Sequence, residues 1–370
     1  MEECGQGSQP KCLQLYKDGL TIIRCGLKES AVGEKDKLQQ QQMQNLMTCV
    51  EERIGIIEKA SNKVSAPAIF PLCSLSKIDS SLAHTLLDEV IQGEIKISFS
   101  DIIGQVSAKE ALRESVVLPS LRPDIFTGLR SPVQGILLFG PPGNGKTLLA
   151  QAAAKESGCR LFNISSSTLM SKWLGESEKL VRTLFMVARE LQPCIIFMDE
   201  VDAMLSLRHS GEHESSRRLK TEFLSRFDGV SSNSNDRILV LGATNRPQDL
   251  DDAVIRRFPR RILVDMPSYS DRVEMMRHFL KDESHSLSLE DLEDVANVTG
   301  GFSASDIKAL ARHASLQCLR AIGLRELQHI SMSEMRPIHV SDFMTSLEQI
   351  RPSVHKSTLS SLKKWMSKNR

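Results

Sequence analysis

The sequence predicts an α/β fold, in which a parallel sheet has helices on both faces, followed by a small all-α domain and preceded by an N-terminal helical hairpin. From residue 99 onward, short apolar strand candidates alternate with helical patterns, and this alternation is typical of parallel sheets. After Pro267 the strand candidates stop and helical patterns alone continue. Upstream, residues 13–60 place apolar side chains at spacings of three and four, as amphipathic helices do.

The composition is that of a globular chain with two or three domains. Its 370 residues include 47 Lys and Arg and 46 Asp and Glu, which gives a net charge of +1. This balance argues against a general nucleic-acid binder, which needs a surplus of positive charge. No run approaches about 18 apolar residues, so we expect no membrane span. The first residues lack the apolar core of a secretory signal.

The cysteines and histidines show no clear metal-binding pattern. The 8 cysteines are scattered without a C-x-x-C pair, so we expect reduced thiols in the cytosol. His209 and His213 lie four residues apart in a loop rich in Gly, Ser and Glu, with no cysteine nearby. A solvated loop is therefore favoured over a metal site at these histidines.

Changes in composition divide the chain into four parts. Residues 13–60 predict two helices that need a third helix or a partner, because a hairpin of this size cannot bury a large core. A barely charged linker with two prolines follows at 61–79. We expect the α/β domain at 80–267, with a short helix at 80–92, and the helical domain at 268–370.

Apolar runs and helical spacings predict the elements of the last two domains. The strand candidates are 136–139, 161–164, 195–198, 238–241 and 262–264. The helical patterns after the last strand are 270–281, 288–297, 304–321 and 340–350. Helices separate successive strands, so we expect the strands to run parallel.

A glycine-rich loop follows the first strand candidate and opens an apolar helical run. It fits G-x-x-x-x-G-K-[ST] with Gly140, Pro141, Pro142, Gly143, Asn144, Gly145, Lys146 and Thr147. In this context, glycines let backbone N–H groups approach phosphate oxygens at a helix N-terminus. We expect Lys146 to contact the β- and γ-phosphates of ATP and Thr147 to ligate Mg²⁺. A glycine turn without a nucleotide is the weaker alternative.

Polar side chains end the third and fourth strand candidates. Asp199 and Glu200 follow the apolar run 194–198, at the strand end where open α/β sheets bind ligands. We expect Asp199 to hold the hydration shell of Mg²⁺ and Glu200 to polarise the attacking water. Asn245 can hydrogen-bond both the γ-phosphate and that water. The plainer alternatives are a solvated strand end for the acids and a turn role for Asn245.

In order and spacing, these motifs resemble the AAA ATPases. The matching segments are 101–104, the glycine-rich loop, the acid pair, 242–247 and 253–258. The resemblance covers about residues 80–370. It is greatest to the spastin subfamily of the meiotic clade, through 118–130, 211–223 and the closing helix with Trp365. It implies the AAA+ fold with a helical lid and a homohexameric ring that binds ATP between subunits.

The resemblance also implies roles that spacing alone does not single out. Asn245 matches the first sensor residue of the family. Arg256 and Arg257 match arginine fingers, which reach the γ-phosphate of the neighbouring subunit. Asp101 and Ile103 match the segment that packs around the adenine. Without the resemblance, the two arginines would be an ordinary surface pair.

Two segments match the loops that line the central pore of such a ring. The residues of the first are Lys172, Trp173 and Leu174, and those around the second are Arg208, His213, Arg217 and Arg218. An aromatic face beside a glycine can grip an extended chain. A sixfold basic ring would attract the acidic C-terminal tails of tubulin, the substrate that the subfamily implies. A half-buried tryptophan and a solvated helix start are the alternatives.

The N-terminal part departs from the family pattern. Residues 13–60 resemble the last two helices of a three-helix MIT domain whose first helix is missing, which puts docking onto ESCRT-III proteins in doubt. The linker is short and lacks the basic residues with which relatives bind the microtubule lattice. No hydrophobic hairpin precedes residue 13, so we expect no membrane insertion. The expected location is cytoplasmic, on microtubules, including the perinuclear region.

Three functions from different classes are consistent with these features. The first is an ATP hydrolase that severs microtubules, an activity classed with the isomerases. The second is a motor that disassembles ESCRT-III-type polymers, which is disfavoured because 324–342 is too short for the strand pair of that group. The third is a non-enzymatic scaffold, which would be favoured only if Lys146, Glu200 or the arginine pair were replaced, and all of them are present.

Overall fold

A computed structural model of the chain describes residues 95–166, 177–206, 214–231, 236–320 and 335–369. These residues all belong to the second of the two units into which the chain divides, Leu75–Arg370. The predicted helices at 13–60 and 80–92 and the linker at 61–79 lie outside the described residues, so the domain boundaries stay predictions. No described helix combines the length and the apolar character that crossing a membrane requires.

Five parallel strands form one sheet. They are β1 Gly135–Phe139, β2 Arg160–Ser165, β3 Cys194–Asp199, β4 Ile238–Thr244 and β5 Arg260–Leu263. Their order across the sheet is β2-β3-β4-β1-β5. All five predicted strands are present. β5 begins two residues before its prediction because Arg260 and Arg261 interrupt the apolar pattern. The order places the carboxyl ends of β3, β4 and β1 side by side.

Helices cover both faces of the sheet. They are α1 Val106–Leu112, α2 Leu118–Leu121, α3 Lys146–Ser157, α4 Ser177–Glu190, α5 Val201–Leu205, α6 Glu214–Ser231 and α7 Asp252–Arg257. A π-helical stretch at Arg113–Val117 joins α1 to α2. Alternate strand residues face opposite sides, so Leu137 packs in one buried cluster with α4 and α6 and Leu138 in another with α1 and α3.

A helical lid follows the sheet. Its helices are α8 Tyr269–Phe279, α9 Leu289–Val298, α10 Ala304–Arg320 and α11 Val340–Gln349, and the chain ends with α12 Lys356–Lys368. The lid helices bury their own core, which includes Met276, Leu310 and Phe343. α12 instead packs on the sheet, where the rings of Trp365 and Phe139 meet edge to face at 4.8 Å. The closing helix therefore contacts the strand that leads into the glycine-rich loop.

Candidate active site

The glycine-rich loop, residues 140–147, connects β1 to α3 at the carboxyl edge of the sheet. Gly143 and Gly145 have φ angles of 75° and 86°, in the left-handed region that favours glycine. A Cβ at Gly143 would also lie 2.1 Å from Oγ of Ser305. The loop ends at the N-terminus of α3, where free N–H groups and the helix dipole favour an anion.

The Lys146 side chain is folded into this loop. It is 7% exposed, and its Nζ donates to the carbonyl oxygens of Gly140 at 3.0 Å and Pro141 at 2.9 Å. Burial lowers the pKa of Lys146 to about 8, although Asp199 and Asp202 favour its charged form. A phosphate would offer this ammonium charged acceptors in place of carbonyl groups, and such hydrogen bonds are stronger.

Thr147 and Asp199 form a pair of hard oxygen ligands beside the loop. Oγ1 of Thr147 donates to Oδ2 of Asp199 at 3.0 Å, and the other carboxylate oxygen accepts from the N–H of Glu200 at 2.9 Å. Mg²⁺ usually takes one or two protein oxygens and completes its shell with waters and phosphate oxygens. The described residues contain no group of three or more His, Cys, Asp or Glu side chains arranged for a metal. The pair of one hydroxyl and one carboxylate fits nucleotide-bound Mg²⁺, for which phosphate oxygens and waters would supply the remaining ligands.

Glu200 has an unusual backbone conformation directly after β3. Its φ of 52° is left-handed, which is uncommon for a residue other than glycine, and the residue is exposed. Strained positions of this kind cluster at functional sites, because the surrounding structure must hold them. Glu200 thus lies exposed at the junction between the end of β3 and the start of α5.

Asn245 follows β4, and hydrogen bonds of the Thr244 hydroxyl fix the backbone on both sides of it. The Thr244 hydroxyl donates to Oδ1 of Asp202 at 2.6 Å and accepts from the N–H of Arg246 at 2.9 Å. Oδ1 of Asn245 is buried and has no hydrogen-bond partner among the described residues. A buried acceptor without a donor costs free energy, so this oxygen is available to a donor that arrives with the nucleotide. Thr244 and Asp202 were not predicted as site residues, because their only signal in the sequence is nearness to Asn245 and Glu200.

The predicted adenine segment lies beside the lid. Ile103 is half-buried and packs against the lid core. The Asp101 carboxylate accepts from the N–H and the hydroxyl of Ser98, both at 2.8 Å, and these bonds hold the pKa of Asp101 below its ordinary value. The carboxylate is thus committed to a helix cap, which leaves Ile103 and the backbone of the segment to meet a nucleobase.

The lid contacts the glycine-rich loop directly. Asn144 is 3% exposed, and its Oδ1 accepts from the N–H of Ala304 at 3.1 Å. The N–H of Ser305 donates to the carbonyl of Gly143 at 2.9 Å. Ser303 and Asp306 form a capping box at the start of α10, in which each side chain accepts from the backbone N–H of the other residue. The first turn of α10 is therefore bound to the apex of the loop, a contact that the sequence did not predict.

The two predicted arginine fingers have different surroundings. Arg257 makes a bidentate ion pair with Asp228 of α6, with distances of 2.7 Å from Nε to Oδ1 and 2.6 Å from Nη2 to Oδ2. Its Nη1 donates to the carbonyl of Ala253 at 2.7 Å. Arg256 is exposed, and its guanidinium has no partner among the described residues. The sequence gives no reason to distinguish the two arginines, whereas the tertiary structure shows that Arg257 is held by an ion pair and that Arg256, within the part of the chain it describes, is not.

The predicted pore residues are described in part. Those outside the described residues are Lys172, Trp173, Leu174, Arg208 and His213. Arg217 and Arg218 are exposed in the first turns of α6. Arg218 pairs with Glu214 one turn earlier, whereas Arg217 has no carboxylate partner within the described ranges. Part of the predicted basic charge is therefore neutralised locally.

A cavity of about 440 Å³ lies at the opposite edge of the sheet. Its walls include Gln134, Pro193 and Arg237, which precede three of the strands, and the half-buried thiol of Cys159. None of the predicted site residues that the structure describes lines it. Ligands of open α/β sheets bind at the carboxyl ends of the strands, so we place the candidate active site at the loop.

Comparison with known proteins agrees with this geometry. Three family models match: the ATPase family associated with various cellular activities (AAA) at residues 136–266, the AAA+ lid domain at 290–336 and the Vps4 C terminal oligomerisation domain at 323–369. Spastin of Xenopus tropicalis is 52% identical over 292 residues, which are 79% of this chain and 48% of that protein. The chain thus spans about half the length of the curated relatives it matches.

Solved structures give the same relationship. The FIGL-1 AAA domain in complex with ADP is 41% identical and has a TM-score of 0.73, over 82% of this chain and 99% of that one. A katanin structure that addresses self-assembly is 34% identical with a TM-score of 0.66, over 82% of this chain and 99% of that one. These findings confirm the predicted resemblance, the parallel sheet and the helical lid. The chain belongs to the AAA family of ATPases.

Proposed function

We propose that this AAA ATPase severs microtubules. It works as a homohexamer that pulls the acidic C-terminal tails of tubulin into its central pore and extracts tubulin from the lattice. The observation that carries the proposal is the convergence of Lys146, Thr147, Asp199 and the unpaired Asn245 acceptor at one edge of the sheet. Similarity to spastin and katanin supports the microtubule as target, and the match to an oligomerisation domain supports the ring.

The glycine-rich loop binds the phosphates of ATP. Its backbone and the N-terminus of α3 surround the anion, and Lys146 turns from its carbonyl partners to the β- and γ-phosphates. Thr147 and Asp199 hold Mg²⁺, which neutralises charge on the phosphate oxygens when it is bound. Ile103 packs against the adenine. In this arrangement the γ-phosphate faces the side chains that follow β3 and β4.

Hydrolysis uses the acid and the amide at the strand ends. Glu200 polarises the attacking water and accepts its proton. Asn245 orients that water through its free Oδ1 and donates from its amide nitrogen to the γ-phosphate. Arg256 of the neighbouring subunit neutralises the charge that spreads over the γ-phosphate oxygens, an effect worth about 10³- to 10⁵-fold in kcat. Each of the three guanidinium nitrogens of Arg257 already donates to Asp228 or Ala253, so this residue supports Arg256 instead.

The substrate is held by charge and by an aromatic grip. Arg217 and Arg218 face solvent at the start of α6, beside the second pore loop, and attract glutamate-rich tails. Lys172, Trp173 and Leu174 grip the chain without regard to its sequence. Because the lid is bound to the loop through Asn144, a change at the phosphates reaches the lid and moves the ring.

The decisive experiment is direct observation of severing. Purified protein is added with ATP and Mg²⁺ to labelled, stabilised microtubules, and internal breaks are counted by microscopy. We expect breaks with ATP and none with Glu200→Gln. ATP hydrolysis without breaks, together with loss of ESCRT-III-type polymers in a parallel assay, would instead favour the disassembly motor. In cells, we expect the protein in the cytoplasm on microtubules, including those around the nucleus, and not on nucleic acid.

A further inference from the structure

Helices α6 and α7 are joined by an ion pair and an aromatic contact. Asp228 of α6 binds Arg257 of α7 through two hydrogen bonds of 2.7 and 2.6 Å. The rings of Phe227 and Phe258 meet edge to face at 5.3 Å. A side chain at Gly135 would lie 2.1 Å from the carbonyl oxygen of Arg257, so β1 and the end of α7 also pack closely. Contacts with α6 on one side and with β1 on the other therefore fix the position of α7.

The ion pair connects α7 to a helix, α6, whose other end carries the exposed Arg217 and Arg218. α6 has 18 residues and so is about 27 Å long. Arg217 and Arg218 lie in its first turns, and Asp228 lies in its last. A continuous helix of this length transmits a displacement of one end to the other. Asp228 and its neighbour Phe227 are thus the points at which such a displacement would reach α7, and Asp228 is the one that binds an arginine.

The two arginines of α7 are not interchangeable. Arg257 would have to break its bonds to Asp228 and Ala253 before it could meet a phosphate. Arg256, its neighbour in sequence, is exposed and has no partner among the described residues. Adjacent helical residues point in different directions, so holding Arg257 in place also fixes the direction of Arg256.

The ion pair between Asp228 and Arg257 contributes more to the orientation of α7 than to the free energy of folding. The side chain of Asp228 is 51% exposed and that of Arg257 is 26% exposed. Ion pairs this accessible to solvent contribute little to the free energy of folding, because water screens them and the side chains lose freedom. Its loss should therefore leave the chain folded, and an effect on turnover can be read directly.

We propose that Asp228 is a positioning residue for ATP hydrolysis. Through Arg257 it holds α7 so that Arg256 reaches the ATP of the adjoining subunit, and it ties this contact to the substrate-facing end of α6. An acidic chain that binds Arg217 and Arg218 shifts α6, and the ion pair passes the shift to Arg256. This proposal rests on the proposed function, in that it takes the acidic substrate and the ring as given and names how the substrate regulates the ATP site.

The test is a charge exchange in the 370-residue chain. Wild type, Asp228→Asn, Arg257→Asp and the double variant Asp228→Arg/Arg257→Asp are compared for kcat and KM of ATP hydrolysis, with and without a soluble poly-glutamate peptide. Asp228→Asn should lower kcat by about 10- to 100-fold with little change in KM, as a small misplacement of a catalytic group does. The double variant should regain most of the activity lost in Arg257→Asp, because the pair is restored with its charges reversed.

Glu222→Gln is the matched control. Glu222 lies on the same helix and pairs with Arg182 of α4 and with Arg226, so its loss removes two ion pairs of α6, neither of which reaches α7. Because neither partner of Glu222 belongs to α7, we expect turnover close to wild type. Circular dichroism and sedimentation check that every variant folds and assembles.

The outcomes separate this proposal from the proposed function. If the double variant is as inactive as Arg257→Asp while both fold and assemble, Arg257 itself meets the phosphate and the positioning role is overturned. If the peptide stimulates wild type and Asp228→Asn by the same factor, the link to the start of α6 is wrong. If the exchange restores kcat but no acidic peptide stimulates wild type, the proposed substrate fails and the positioning role stands.

Discussion

The Thr244 hydroxyl donates to Oδ1 of Asp202 at 2.6 Å and so joins the end of β4 to the first turn of α5. The same hydroxyl accepts from the N–H of Arg246, which fixes the backbone on both sides of Asn245. Asp202 lies two residues after Glu200. The acid that we propose to polarise water and the amide that we propose to orient it therefore both lie within two residues of this hydrogen-bonded pair.

Replacement of this hydroxyl should slow hydrolysis without weakening ATP binding. Thr244→Val keeps the volume but removes both hydrogen bonds, so Asn245 loses its fixed direction. We expect kcat to fall by about 10- to 100-fold with KM nearly unchanged, and a loss of about 1–3 kcal/mol in stability from the unpaired Asp202. Thr183→Val is the control, because that buried hydroxyl bonds within α4 to Lys179. Equal kinetic losses in both variants would contradict the assignment.

Removal of the Glu200 charge should separate ATP binding from hydrolysis. Glu200→Gln keeps the shape of the side chain but cannot accept a proton from water. We expect kcat to fall by about 100- to 10,000-fold and the protein to accumulate as ATP-bound hexamers, as measured by steady-state turnover and sedimentation. Near-normal turnover in this variant would remove Glu200 from the catalytic role.

ATP binding should take up a proton above neutral pH. Burial lowers the pKa of the free Lys146 ammonium to about 8, so the side chain is mostly neutral at higher pH. Bound phosphates favour the charged form and raise this pKa. Affinity is therefore full below about pH 8 and should weaken by up to about tenfold for each pH unit above it. Calorimetry at pH near 8.5, in two buffers with different ionisation heats, measures the uptake, and Lys146→Met should abolish it.

Active sites shared between subunits should be rebuilt by mixing two inactive chains. Arg256→Ala lacks the proposed finger and Lys146→Ala lacks the phosphate contact. In a mixed ring, some interfaces combine an intact loop from one chain with an intact Arg256 from the other. We expect each variant alone to hydrolyse almost no ATP and the mixture to regain part of the rate. Full activity of Arg256→Ala alone would exclude Arg256 as the finger.

Severing should depend on salt and on tubulin tails more than ATP hydrolysis does. Attraction between Arg217 and Arg218 and an acidic tail acts through water, where the screening length is about 8 Å at physiological salt. Severing should therefore fall steeply as salt rises, and it should also fall in Trp173→Ala and in Arg217→Glu/Arg218→Glu by more than hydrolysis does. Protease removal of the tails should abolish it. Tail-less microtubules severed at the normal rate would contradict tail pulling.

Local patterns in the sequence predicted most of the fold of the described residues. The five strands and the four helices after them were recognisable because apolar periodicity reports which residues face a core. β5 was shifted because Arg260 and Arg261 carry no apolar signal. α12 was grouped with the lid by its position in the chain, whereas Trp365 packs on Phe139 of the sheet. Which core an amphipathic helix joins depends on the whole packing arrangement.

The sequence by itself determined the chemistry of the glycine-rich loop. Residues 140–147 are contiguous, and the glycine conformations, Lys146 and Thr147 follow from what a phosphate and Mg²⁺ require of one short segment. The tertiary structure decided which side chains act together. Asp228 and Arg257 are 29 residues apart, Thr244 and Asp202 are 42 apart, and Asn144 and Ala304 are 160 apart. No local pattern encodes such pairs, because they come within hydrogen-bond distance only after the sheet and the lid have packed.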